Sequence, residues 1–166
     1  VLAIDGDLRR ASLSEYVGLP KKGISNYLAG EYKDIHPLIC KVDGFENLDL
    51  LPVGTIPPNP SELISMPEFP ALIKQLKQEY DYIFIDCPPI DIVADTQIIE
   101  ESSDRTIFIV RAGVLDRKDV ANLQKAYDEK RFKNLCYVFN GVETEVSYYG
   151  HYGNYGGMKE SYYGKS

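Results

Sequence analysis

Four short apolar runs, each closing on a polar or charged residue, are what most restricts the fold of this chain. They are Val1-Leu2-Ala3-Ile4 before Asp5, Tyr82-Ile83-Phe84-Ile85 before Asp86, Thr106 to Val110 before Arg111, and Leu135 to Phe139 before Asn140. Runs this short, rich in β-branched and aromatic residues, read as strands, and unbroken apolarity marks strands covered on both faces. Leu48 to Val53 adds a further short strand. Helical patterns fall between them, so the expected fold class is α/β, a mostly parallel sheet flanked by helices. Ligands of such sheets bind beyond the carboxyl ends of the strands. Asp5, Asp86, Arg111 and Asn140 all stand at such ends.

The connecting segments support this reading. Ser12 to Val17 and Ile24 to Ala29 read as short helices. Gly54 to Pro60 (GTIPPNP) is an irregular turn, because proline removes a donor and restricts the residue before it. Asn59-Pro60-Ser61-Glu62 has the polar-residue-then-proline pattern of a helix start. From Phe69 to Glu79 the spacing is helical, with Leu72, Ile73 and Leu76 on one face and Lys74, Lys77 and Gln78 on the other. Thr96 to Ser102 and Asp119 to Lys130 are further helices.

Beyond residue 147 the pattern breaks. Six of the 13 tyrosines, Tyr148, Tyr149, Tyr152, Tyr155, Tyr162 and Tyr163, crowd the last 19 residues among glycines. Such a segment has too few aliphatic residues to pack a core and reads as a flexible tail. The expected organisation is a domain over residues 1–147 and a tyrosine-rich tail over 148–166.

With 166 residues the chain suffices for one domain with a substantial core. Its net charge of −7 gives no general attraction to nucleic acid or anionic lipid. Cys40, Cys87 and Cys136 are odd in number and form no CxxC pair, which favours reduced thiols over disulfides or a zinc site. His36 and His151 lack metal-ligand spacing. Val1 opens inside an apolar run without a methionine or a polar lead, so the chain is expected to be part of something longer.

The chemistry concentrates at two strand ends. Asp5-Gly6-Asp7 places two carboxylates at i and i+2, on one side of an extended backbone, and Gly6 permits close approach of another backbone or a phosphate. Asp and Gly are equally the residues of an ordinary turn. Asp86 closes an apolar strand as a Walker B acid does; Mg2+ takes oxygen ligands and keeps several waters, so one carboxylate at a strand tip can hold it. The phosphate-cradling pattern G-x-x-x-x-G-K-[ST] does not occur. Gly164-Lys165-Ser166 follows no strand, and position 159 is lysine.

In combination these segments resemble the bacterial tyrosine kinases of capsular and exopolysaccharide synthesis. That family lies within the deviant-Walker P-loop ATPases, alongside the division-site (MinD-like) and partition ATPases. VLAIDGDLRR is similar to the family's second Walker-type motif, LPVGTIPPNPSELI to the segment between its acidic strands, and YDYIFIDCPPI to its Walker B strand. IFIVRAG and CYVFNG resemble its last two core strands, and the Tyr/Gly tail resembles its autophosphorylation cluster.

The resemblance implies an ATP- and Mg2+-dependent autokinase. Asp5 would activate the incoming tyrosine hydroxyl, Asp7 would lie beside the metal, and Asp86 would hold Mg2+ through water. Asn140 would contact adenine with Arg111 nearby, and the six tail tyrosines would be the acceptors. It further implies a phosphate loop upstream of Val1, without which this stretch alone would be inactive. Also implied are a homo-oligomeric ring phosphorylating in trans, a membrane-anchored polysaccharide co-polymerase domain or activator, and a cognate tyrosine phosphatase. The location would be the cytoplasmic face of the cell membrane. Cys87 departs from the family pattern, standing where a small hydroxyl residue is expected.

Two other classes use the same acids. A deviant-Walker positioning ATPase needs both acidic strands but has no use for six tail tyrosines. A catalytically incompetent domain could serve as a phosphoacceptor or scaffold.

Overall fold

In the computed structural model, residues 1–88, 95–114 and 117–142 are described. Strand β1 (Leu2–Asp5) is the centre of a four-stranded sheet in the order β2-β3-β1-β4, with β2 at Cys40–Lys41, β3 at Asp49–Leu51 and β4 at Ile83–Asp86. β1 runs parallel to both neighbours, Ile4 opposite Leu51 on one side and Ile85 on the other. Only β2 is antiparallel, pairing Cys40 with Leu50. Strands β5 (Ile107–Arg111) and β6 (Cys136–Asn140) form a separate parallel pair.

Helices α1 (Ile24–Leu28), α2 (Pro60–Ile64) and α3 (Glu68–Leu76) belong to the four-stranded sheet's part of the chain. α3 carries the expected stripe: Phe69, Leu72, Ile73 and Leu76 are all buried, at the i, i+3, i+4, i+7 spacing of one helix face. Together with Leu2 and Ile4 of β1, Leu51, Ile24, Leu28, Leu63 and Ile64 they make one core. Each such side chain contributes about 1.5–3 kcal/mol relative to exposure, as an upper estimate. α2 starts where proline is tolerated best, with Pro60 in its first turn. Helix α4 (Asp95–Glu101) follows β4, and α5 (Arg117–Asp128) joins β5 to β6. Lys77 ties α3 to the segment after α4 through Asp104 at 2.8 Å.

The expected elements recur within a few residues, and β2 is an addition. The mostly parallel, helix-flanked architecture is the expected one, and one part of the sheet surface stands open among the described residues. Among the described residues, β4 and β5 are not hydrogen-bonded to each other, and an open cleft of about 1000 Å³ separates them. Ala3, Phe84, Ile107, Ile109 and Val138 line it. Phe84 is 54% exposed and Ile109 57%. Phe108 and Tyr137, on the opposite face of the β5–β6 pair, meet edge to face at 5.9 Å. No described helix is long and apolar enough to cross a membrane. Tail residues 148–166, with all six tail tyrosines, lie outside the described residues.

Candidate active site

The parallel register of β1 against β4 sets Asp5 directly opposite Asp86. Paired positions on neighbouring strands lie about 4.8 Å apart, so the two sequence-derived acids meet at one rim. The Gly6 amide extends the ladder by donating to the Asp86 carbonyl at 2.8 Å. The approach is close: a Cβ on Gly6 would stand 2.6 Å from that carbonyl oxygen.

Asp5 is completely buried. Its Oδ2 accepts two hydrogen bonds from Ser14, from the backbone N–H at 2.8 Å and from the hydroxyl at 2.7 Å. Its Oδ1 has no partner among the described residues. A buried carboxylate oxygen without a donor is costly, and at a strand end it is a place kept for a ligand or a proton. Asp7 is also buried, and its Oδ1 accepts from the amides of Arg9 and Arg10 at 3.1 and 3.2 Å. The turn reading of Asp5-Gly6-Asp7 is therefore correct for Asp7, and Asp7 still stands within the electrostatic reach of Asp86.

That reach is visible in Asp86. Desolvation at the cleft rim, then the charges of Asp5 and Asp7, push its carboxyl above the usual carboxylate range. Like charges gathered at a strand tip disfavour ionisation until a cation arrives. The next residue, Cys87, is pushed up to about 12 by burial and then by the charges of Asp86 and Asp7. Near neutral pH its reactive thiolate form is scarce.

The donor set fits Mg2+ in a particular way. Among the described residues no group of three His, Cys, Asp or Glu side chains is arranged to hold a metal by itself. Mg2+ is usually held by one or two carboxylates together with water and substrate phosphates. Asp86 with an unpartnered Asp5 oxygen beside it suits an ion delivered with a polyphosphate and does not suit an all-protein cage.

Arg111 and Asn140 are likewise register partners, at the carboxyl ends of β5 and β6. The Asn140 Oδ1 accepts from the Gly141 amide at 2.8 Å, and the Ala112 amide donates to the Asn140 carbonyl at 2.9 Å. The structure thus gathers the sequence-derived residues into two groups, Asp5 with Asp7 and Asp86, and Arg111 with Asn140. The cleft separates the two pairs of strands, lined by Asp86 on one side and Ile109 on the other. Sequence patterns did not single out Ser14, because its link to Asp5 spans nine residues and depends on the intervening turn.

No family model matches the chain. Over 157 residues it is 35% identical to the tyrosine-protein kinase CpsD of Streptococcus agalactiae, covering 93% of this chain and 68% of that protein. Among solved structures, the kinase domain of the Escherichia coli tyrosine kinase ETK superposes with a TM-score of 0.77 at 28% identity. That match covers 92% of this chain and 60% of that one, so the chain spans less than two thirds of the kinase domain. The septum site-determining protein MinD complexed with Mg-ADP, from Pyrococcus horikoshii, superposes with a TM-score of 0.61 at 26% identity, over 83% of this chain and 55% of that one.

Proposed function

The chain belongs to the family of bacterial tyrosine-protein kinases, and on that premise we propose that it carries the acidic half of an autokinase site acting on its own tyrosine-rich tail. The observation that carries the reading is the register opposition of Asp5 and Asp86, together with a buried Asp5 oxygen that has no partner among the described residues.

A phenol with a pKa near 10 needs a base or a favourable charge environment to attack phosphorus. Asp5 Oδ1 would take that proton, Asp86 would hold the ion, and Asp7 would brace the turn beside it. Mg2+ and ATP, when bound, supply a γ-phosphoryl group with neutralised charge, and the remaining work is positioning. Asn140 and Arg111 face the base of the nucleotide from across the cleft. The tail, residues 148–166, delivers Tyr148, Tyr149, Tyr152, Tyr155, Tyr162 and Tyr163 to the site of a neighbouring subunit.

Each phosphate adds about −1.5 to −2 charges. On a chain already at −7 several of them drive apart subunits in a ring, and a tyrosine phosphatase reverses the effect. A membrane-anchored co-polymerase domain or activator then couples the cycle to capsular or exopolysaccharide export at the cytoplasmic face of the membrane. The likeness to MinD supports a second reading, an ATPase switch with the same acids and no phosphotransfer to protein.

The test is mass spectrometry of the full-length protein after incubation with Mg-ATP. Phosphotyrosine confined to the tail, and lost in Asp5→Asn, is the expected result. ATP hydrolysis without phosphotyrosine would establish the switch instead.

A further inference from the structure

We infer that Ser14 is the positioning residue for Asp5, a role that rests on the kinase reading above for its catalytic meaning. Ser14 lies in a 3-10 turn, Leu13–Val17, closed by Gly18 in a left-handed conformation at φ 79°. It is buried. Its backbone N–H and its hydroxyl both donate to the same oxygen, Asp5 Oδ2. The Val53 amide donates to the Ser14 Oγ at 2.9 Å.

The hydroxyl has one proton, and it is spent on Asp5. The Val53 bond occupies an acceptor site and fixes the direction in which that proton points. Val53 lies just beyond β3, whose Leu51 is the register partner of Ile4 in β1. The carboxylate is therefore clamped to the neighbouring strand of its own sheet through one side chain. Two consequences follow for the site. The Asp5 carboxyl plane cannot rotate, so the oxygen without a partner is always the same one. Oδ2 is saturated by charge-assisted hydrogen bonds, which leaves Oδ1 as the oxygen available to a proton. A serine this enclosed, with its hydroxyl engaged on both sides, is no phosphoacceptor.

The experiment compares Ser14→Ala and Ser14→Thr in the full-length protein. With Ala, kcat for tail phosphorylation falls about 10- to 100-fold while KM for ATP and the Kd for Mg-ADP stay within about twofold, because only the proton acceptor is misplaced. Thr, which restores the hydroxyl, recovers kcat to within about threefold. A second arm reads no activity: thermal unfolding of Ser14→Ala, Asp5→Ala and the double variant. Midpoint shifts that fail to add are expected for two side chains in direct contact.

Unchanged kcat in Ser14→Ala, parallel losses of kcat and Mg-ADP affinity, or additive midpoint shifts would each overturn the assignment. Should Ser14→Ala fold poorly, Ser14→Cys fills the space with a weak donor and carries the same comparison. A wild-type protein that binds Mg-ADP yet forms no phosphotyrosine defeats the kinase reading, and the unfolding cycle then judges the Ser14–Asp5 clamp by itself.

Discussion

Asp5 and Asp86 are direct register partners at the carboxyl ends of β1 and β4, and Gly6 closes the pair by donating its amide to the Asp86 carbonyl. Two carboxylates so placed repel, and Asp7 adds a third negative charge to the field that Asp86 feels. A cation is the natural relief.

Asp86→Asn therefore acts in opposite directions on stability and activity. Without metal it removes a repelled charge, so the thermal midpoint stays level or rises. Asp86 is exposed, and solvent screening limits that gain to less than about 1 kcal/mol. With Mg-ATP, phosphotransfer falls about 100-fold or more, since charge neutralisation at the phosphates is lost. Differential scanning fluorimetry with and without Mg2+, set beside a phosphotyrosine assay, checks both halves. A destabilised, fully active variant would contradict the charge argument.

The loop that follows β3 is held by one buried side chain. Asn26 Oδ1 accepts from the amides of Gly23 at 3.1 Å and Thr55 at 3.3 Å, and its Nδ2 donates to Glu31 at 3.0 Å. Gly54 sits beside it at φ 84°, where a Cβ would collide with the Asn26 Oδ1 and the Gly23 amide nitrogen. Gly54→Ala combines left-handed strain with overpacking against backbone and costs about 2 kcal/mol or more. That corresponds to a midpoint lower by roughly 4–8 °C for a domain of this size. Asn26→Ala leaves two amides without their acceptor and costs about 1–3 kcal/mol. Urea unfolding of both variants checks the pair, and a Gly54→Ala protein as stable as the parent would mean that this turn is not needed.

Strand ends were legible in the sequence because burial on both faces leaves an unbroken apolar run, and the acid that ends it marks the rim. The α3 stripe was legible through its helical period. β2 was not, since two residues of antiparallel edge carry no period and exist only through pairing with β3. Ser14 was hidden for the same reason: its partners, Asp5 and Val53, are nine and 39 residues away and meet only in the fold. The cleft is the converse case. Phe84, Ile107 and Ile109 read as covered residues, yet they face open space among the described residues, because apolarity states what a surface requires and not what supplies it.

Cys87 follows Asp86, where a small hydroxyl residue was expected, and its surroundings determine how it behaves. Burial and the neighbouring acids hold the thiol up to about 12, so the reactive thiolate is scarce near neutrality. Iodoacetamide at pH 8 is expected to leave Cys87 unmodified in the folded protein and to label it only after denaturation. Peptide mass spectrometry reads this directly. Rapid labelling at Cys87 in the native protein would show that the segment after β4 opens or that the local field is weaker than the structure implies.

His36 is the one described histidine, and the fold gives it partners that the sequence did not reveal. Its Nδ1 lies 2.5 Å from Asp34 Oδ1 and its Nε2 2.8 Å from Glu79 Oε2, which bridges the segment before β2 to the turn that follows α3. Hydrogen bonds to Asp34 and then Glu79 raise its pKa above 6.5. A raised folded-state value means that the native protein holds the proton more tightly than the unfolded chain. The bridge thus contributes in full below pH 6.5 and fades as pH rises through the folded-state value. The thermal midpoint should decline across that interval, and His36→Gln should remove this part of the decline. An NMR titration of the His36 ring supplies the independent check. A midpoint at or below 6.5 would show that the carboxylates do not grip the ring in solution.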